Sequence, residues 1–216
     1  MKLKDAVSVV NRHLGFRDDL DEFITSELRL AQERLERADL MPWFLVSEMG
    51  KTTTKVEEER VKVPPNFLRE YHEGSLWRVD GTRLVELKKG FHDRLVSAHT
   101  AFGAPKRYAL VGDYFLLRPV PDTVYEIRTR FFLQDTILSG PEVENKWLKY
   151  APYMLIGDAG AIMATALRDK EAVAVFQAMF ADARRRLSVD GVEREMANLH
   201  ESVGSGEDFI DDTGGF

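Results

Sequence analysis

The chain contains no cysteine. That absence excludes disulfides, thiolate metal ligands and thiol nucleophiles, and it suits a reducing cytoplasm. Long apolar runs are missing as well. No uninterrupted stretch of about 18 apolar residues occurs, which excludes a transmembrane helix by the length that a bilayer requires. Met1-Lys2-Leu3-Lys4-Asp5 places charge where a secretory signal needs an apolar core. Histidine is scarce at five residues, and none falls in a His-Glu-x-x-His spacing. No Gly-x-Ser-x-Gly elbow and no internal repeat of fixed period occurs. Positive charge is in deficit. The net charge of −6 argues against a broad face that grips nucleic acid.

What is present is enough apolar surface for a core. At 216 residues and 44% hydrophobic, the chain can bury one core or two small ones without metals or cross-links. Leu3, Ala6, Val7, Val10 and Leu14 recur at helical spacing and predict a helix over residues 3–14. Gly15 can end it in a left-handed conformation, and Asp18 or Asp19 can cap a second helix. The second helix has an apolar stripe of Leu20, Phe23, Ile24, Leu28, Ala31, Leu35 and Ala38. Its polar face carries Glu22, Arg29, Glu33, Arg34 and Glu36. Met41-Pro42 ends it, because proline disfavours helix in the residue before it.

Strand signals follow. Residues 43–48, 52–56 and 59–63 are rich in aromatic and β-branched side chains, with a turn at Met49-Gly50. Pro64-Pro65 interrupts any ladder for want of an N–H, and residues 66–71 read as a helical turn. Asp80-Gly81 and Gly112-Asp113 each join two short apolar runs and predict hairpins. Residues 89–98 read as a short helix on the sheet. Residues 124–133 alternate as a half-buried strand with one apolar face.

Asn145 predicts the start of a third long helix, with Pro152 in a first turn or at a kink. Leu155, Ile156, Ala159, Ile162, Met163 and Ala166 form its buried face. Gly157, Gly160, Ala161 and Ala164 keep it thin enough for a close neighbour. Val173, Phe176, Phe180, Ala183 and Leu187 stripe a fourth helix with a basic end, and a further helical stretch is expected over residues 191–200. From Val203 the pattern dissolves into glycine, serine and carboxylates. The fold class is α+β: a helical bundle with an inserted antiparallel β-rich domain and a flexible C-terminal tail. Residues 1–40 and 136–202 form the helical domain, 41–135 the β-rich insertion, and 203–216 the acidic tail.

Little of this is catalytic chemistry. His92, Asp93 and His99 could be imagined as a metal or acid–base set, yet their helix is short and their spacing fits no metal motif. Glu57-Glu58-Glu59 cannot converge on one ion if they lie on a strand, and a solvated hairpin tip is the ordinary reading. Gly157-Asp158-Ala159-Gly160 lacks the lysine of a phosphate loop and reads as helix packing. No residue is therefore assigned as catalytic, cofactor-binding or metal-ligating. Two segments remain as candidates for contact with a partner. Arg184, Arg185 and Arg186 balance a helix C-terminus or meet acidic groups of a neighbouring subunit; nucleic-acid contact is a third reading, disfavoured by a short run without interleaved aromatics. In the tail, Glu207, Asp208, Asp211 and Asp212 surround Phe209 and Ile210, and Phe216 follows two glycines. Apolar anchors along an acidic segment suit a peptide that orders on a partner's groove.

The order of several motifs carries a likeness. A helical hairpin leads to Trp43-Phe44-Leu45, then to Val63-Pro64-Pro65-Asn66-Phe67-Leu68. Gly103-Ala104-Pro105 and Tyr108-Ala109-Leu110 follow. Next come Gly112-Asp113, Pro119-Val120-Pro121 and Tyr125, and then Phe131-Phe132, where a tyrosine pair is more usual. Asn145 with Leu148, and Pro152 with Leu155, open the last helices. Over residues 3–190 this layout resembles the head-to-tail adaptor (connector) proteins of tailed bacteriophages, which dock beneath the portal. The resemblance implies a homo-oligomeric ring, commonly a dodecamer, that joins the DNA-filled head to the tail and extends the DNA channel. It implies three partners: the portal ring, a downstream tail component (nozzle or tail-completion protein) and further copies of the chain. Genomic DNA would pass through the lumen without sequence-specific binding, and no membrane and no cofactor are involved. It implies a location at the virion neck, with the host cytoplasm during assembly, and a portal-binding role for the tail. A mostly carboxylate lumen is expected, since it lets a phosphate backbone slide. The alternatives are another head-completion or tail-terminator protein, or a small hydrolase.

Overall fold

A computed structural model describes residues 1–38, 42–71, 75–97 and 101–204. In chain order the elements are α1 (Leu3–His13), α2 (Asp21–Arg37), β1 (Gly50–Thr53), β2 (Arg60–Lys62), β3 (Phe67–Glu70), β4 (Leu76–Asp80), β5 (Arg83–Glu86) and β6 (Lys88–Lys89). They continue as α3 (His92–Ser97), β7 (Arg107–Val111), β8 (Tyr114–Arg118), β9 (Glu126–Thr129), β10 (Phe131–Leu133), α4 (Lys146–Tyr150), α5 (Pro152–Ala166) and α6 (Lys170–Gly204). The fold is α+β, and the chain divides into two compact units. One takes residues 1–32 and the chain from 138 onward. The other is residues 33–137.

The helical unit begins with α1, which buries Leu3, Ala6, Val7 and Val10. The carbonyls of Val143 and Pro141 accept the otherwise unpaired N–H groups of Leu3 and Lys4. Gly15, at φ 84°, ends the helix. The Phe16 N–H donates to the Asn11 carbonyl and the Gly15 N–H to that of Arg12, which is a Schellman cap. The buried Asn11 side chain then fixes the corner: it donates to Asp21 at 2.8 Å and accepts from the Arg17 N–H at 2.5 Å.

In α2, Ile24, Leu28, Ala31 and Leu35 are buried as their spacing requires. Phe23 is not: it is 67% exposed, although the apolar stripe includes it. Glu36, expected on the polar face, is buried and accepts from the Asp135 N–H at 3.2 Å. Arg29, also expected on the polar face, is half-buried and donates to the carbonyls of Leu138 and Ser139.

The third helix is two. Asn145 caps α4 by accepting from the Leu148 N–H at 2.9 Å, and Ala151 breaks the path so that Pro152 opens α5 at its first position. Asp169 accepts from the N–H groups of Glu171 and Ala172 and starts α6. The seam between α5 and α6 rests on absent side chains. A methyl on Gly160 would lie 2.3 Å from the Phe176 ring, and one on Gly157 would lie 2.8 Å from Phe180 Cβ. Phe176 is fully buried, with the His13 ring edge-on at 5.6 Å. Burying such a side chain contributes about 1.5–3 kcal/mol.

The second unit is built on strands. β1-β9-β4-β5 form one antiparallel sheet, and β2-β8-β7-β6 form another in which β6 alone runs parallel to its neighbour. β10 and β3 make a two-stranded ladder. Both predicted hairpins form, as β4–β5 and β7–β8. β8 is buried on both faces. Phe115 and Leu117 join a core with Val61, Leu76, Tyr108, Ile127 and Phe131, while Leu116 packs with Ala109 and with Leu95 of α3. Phe115 stacks on Phe131 at 5.3 Å, and Phe67 stands edge-on to both.

Several local expectations change here. Trp43–Leu45 is a 3-10 turn and not a strand: Phe44 and Leu45 are both buried, which alternation onto one face does not allow. Gly50 opens β1 where a turn was expected. Phe67–Glu70 is a strand and not a helical turn, because β10 supplies its ladder and the core takes Phe67. Lys88 and Lys89 are strand, so the helix after them is only six residues long. The strand over 124–133 breaks at Arg130 and changes ladders there. β9 pairs with β1 and β4, whereas β10 pairs with β3.

Candidate interaction surfaces

The longest feature available for contact is α6, at 35 residues against 15 in α5. At 1.5 Å per residue these are roughly 52 and 22 Å, so much of α6 cannot lie along α5. Among the residues whose side chains are described, the last buried one in α6 is Leu187, and none from Ser188 to Arg194 is buried. Val189 and Val192 are 50% and 52% exposed there. The two helical stretches expected before and after Gly191 are one helix that passes through it.

That continuity relocates the arginine run. Arg184, Arg185 and Arg186 lie in mid-helix and are exposed, so they do not balance a C-terminal dipole. Arg185 and Arg186 each donate to Asp182 at 2.8 Å, and the Arg185 hydrogen bond, with Arg186 beside it, holds the Asp182 carboxyl below its usual range. Arg186 also borders a groove of about 520 Å³ with Tyr150, Tyr153, Met179 and Asp190. A second groove of the helical unit, about 600 Å³, runs between α1 and α2 past Val7, Asn11, Thr25 and Arg29. Phe16 at its edge is 73% exposed. Contiguous exposed apolar patches mark contact faces, and aromatics are enriched in them.

The tail residues Glu207, Asp208, Phe209, Ile210, Asp211, Asp212 and Phe216 lie outside the described residues, as do His72 and His99. His92 touches Asp93 at 3.2 Å at the exposed start of α3. Among the described residues no group of three histidines or carboxylates could hold a metal. Glu57 sits in a turn at φ 61°, Glu58 pairs with Lys55, and Glu59 pairs with Arg118 at 2.6 Å, so the three diverge. Glu57 stands in a turn, and Glu58 and Glu59 in the irregular stretch that leads into β2. No described helix is long and apolar enough to cross a membrane.

Strand register creates one surface that sequence spacing hid. Lys88, Arg107 and Arg118 stand opposite one another across β6, β7 and β8. The β7–β8 hairpin pairs Arg107 with Arg118, and the pairing of Lys88 with Arg107, distant in sequence, adds the third cation. The one available signal was the density of cations near residues 88–89 and 106–107. Comparison with protein-family models and with curated proteins gives no match.

Proposed function

We propose that this chain is a structural ring subunit of the phage adaptor class, docking beneath a portal and carrying the DNA channel toward the tail. The observation that carries the reading is α6. A helix that runs on past Leu187 with Val189 and Val192 exposed has an apolar surface that a monomer leaves unused. Phe16 and Phe23 extend that argument to the α1–α2 corner. The motif order across residues 3–190 supports the same class, as does the net charge of −6 for a conduit that must not hold phosphate. In this scheme the partners are the portal ring, the next tail component and copies of the chain itself, at the neck of the virion. The tail from Gly204 reaches the portal. Multivalency makes weak tails sufficient, since a closed ring presents many at once.

The test is electron microscopy and light scattering of the full chain, alone and mixed with its candidate portal. A stacked ring on the portal is the expected result. A small oligomer of unchanged mass in both samples rejects the class. Removal of residues 204–216 should weaken portal docking while leaving the melting temperature of the subunit unchanged. Equal portal affinity after the deletion removes the tail from the scheme.

A further inference from the structure

The second unit carries a basic groove of about 590 Å³ between α3 and the β6–β7–β8 end of its sheet. Six cations line it, Lys88, Lys89, Arg94, Lys106, Arg107 and Arg118, and among the described residues no carboxylate does. Lys88 pairs in register with Arg107, and Arg107 with Arg118. Paired residues share a sheet face, so three like charges stand in a row with about 5 Å between strands. Like charges directly opposite one another destabilise a ladder. Glu59 offsets Arg118, and Glu70 takes Lys89. Among the described residues no ion pair reaches Lys88, Lys106 or Arg107. An anion laid across this row relieves the repulsion. The walls also include Phe91, 76% exposed, with Leu95 and Pro119. The fitting ligand therefore carries several negative charges with apolar groups between them.

One segment of this chain has that chemistry. Glu207 and Asp208 precede Phe209 and Ile210, and Asp211 and Asp212 follow. In an extended chain alternate residues share a side, so each edge reads acid, apolar, acid. A polynucleotide matches the cations but must approach a chain of net charge −6. The segment and the groove, by contrast, occur in equal number in any assembly of one chain. We propose that the groove receives the acidic C-terminal segment, residues 205–216, of a second copy. Donor and acceptor are different patches, so a contact passed on from copy to copy is heterologous, and it closes a ring where the rotation between copies allows. This rests on the ring reading above, and it makes the portal a competitor of the groove for the segment.

Two full-length variants test it. One carries Lys88→Glu and Arg107→Glu; the other carries Glu207→Lys, Asp208→Lys, Asp211→Lys and Asp212→Lys. Sedimentation velocity at low salt should show each variant associating at least tenfold more weakly than the wild type. An equimolar mixture, in which an acidic groove meets a basic segment, should regain the association. A mixture no heavier than its components overturns the exchange between copies. A labelled peptide of residues 204–216 should bind the segment-reversed variant, and that binding should vanish when Lys88→Glu and Arg107→Glu are added. Equal binding, or none, overturns the groove; circular dichroism melts establish that every variant is folded. A single-stranded DNA oligomer that displaces the peptide at tenfold lower concentration makes this a nucleic-acid site and overturns the proposal. Failure to dock on the portal with peptide binding intact counts against the ring reading alone.

Discussion

The two stretches of α6 are alike in residue type and opposite in environment. Up to Leu187 the helix buries Ala172, Phe176 and Leu187; from Ser188 to Arg194 it buries nothing, though Val189 and Val192 recur at helical spacing. The difference lies in the partner. α5 is 15 residues long and presents Gly157 and Gly160 to Phe176 and Phe180, and α6 outlasts it. Burial is a property of two surfaces, and apolar content on one of them does not decide it.

Substitutions can break that contrast. The largest effect belongs to Phe176→Ala, which should lower stability by about 3–5 kcal/mol in chemical denaturation, as expected when a fully buried ring is lost. A loss near that of a surface change would mean that the seam does not hold the helical unit together. Gly160→Ala should come next. It forces a methyl to within 2.3 Å of the Phe176 ring, and overpacking of this kind costs about 1–3 kcal/mol. The same change at Gly191 should have the opposite sign, because a methyl there meets nothing within 4 Å. Replacing a helix-interior glycine should stabilise by about 0.5–1 kcal/mol, read as greater helicity or a higher melting temperature. Val192→Ser should leave the subunit's melt within about 0.5 kcal/mol and, if the proposed ring reading holds, reduce assembly on a portal. A variant that assembles normally would sharpen the contrast into one without a role.

The smallest effect sits outside α6. Hydrogen bonds from Lys2 and Lys4 hold the Glu142 carboxyl down to about 2 from an ordinary 4.5. Its folded pKa is depressed, so the stability it contributes is present above about 4.5 and is lost as pH falls toward 2. Glu142→Gln should flatten the acid limb of the stability profile in that window: the variant lacks the small contribution above about 4.5 and matches the wild type near pH 2. The pair is fully solvated, and added salt should shrink the difference further.

Local chemistry was legible in the sequence wherever one residue decides a conformation. Gly15 ends α1, Asn145 caps α4, and the two hairpins fall where glycine and aspartate adjoin. Decisions made by distant partners were not legible. Phe67 becomes strand because β10 and an aromatic core meet it, and Arg130 marks a change of ladder that unbroken alternation conceals. Glu36 looks solvated by helical phase yet caps a backbone N–H near residue 135. The arginine run could be seen but not placed, since a helix end was expected near Leu187 and a new stretch at Gly191, whereas one helix runs through both. The row of Lys88, Arg107 and Arg118 was invisible for a different reason. Register sets it, and register appears only when strands pair.

Arg29 and Gln32 close a loop of another kind. Arg29 donates to the carbonyls of Leu138 and Ser139, and Asn145 donates to Gln32 at 3.1 Å. The chain leaves the helical unit after residue 32 and re-enters at 138, so these bonds clasp the two ends of everything between them. The helical frame is then complete without its contents. Excision of residues 33–137 for a short linker is then expected to cost the helical unit the last turn of α2 and little more than loop closure.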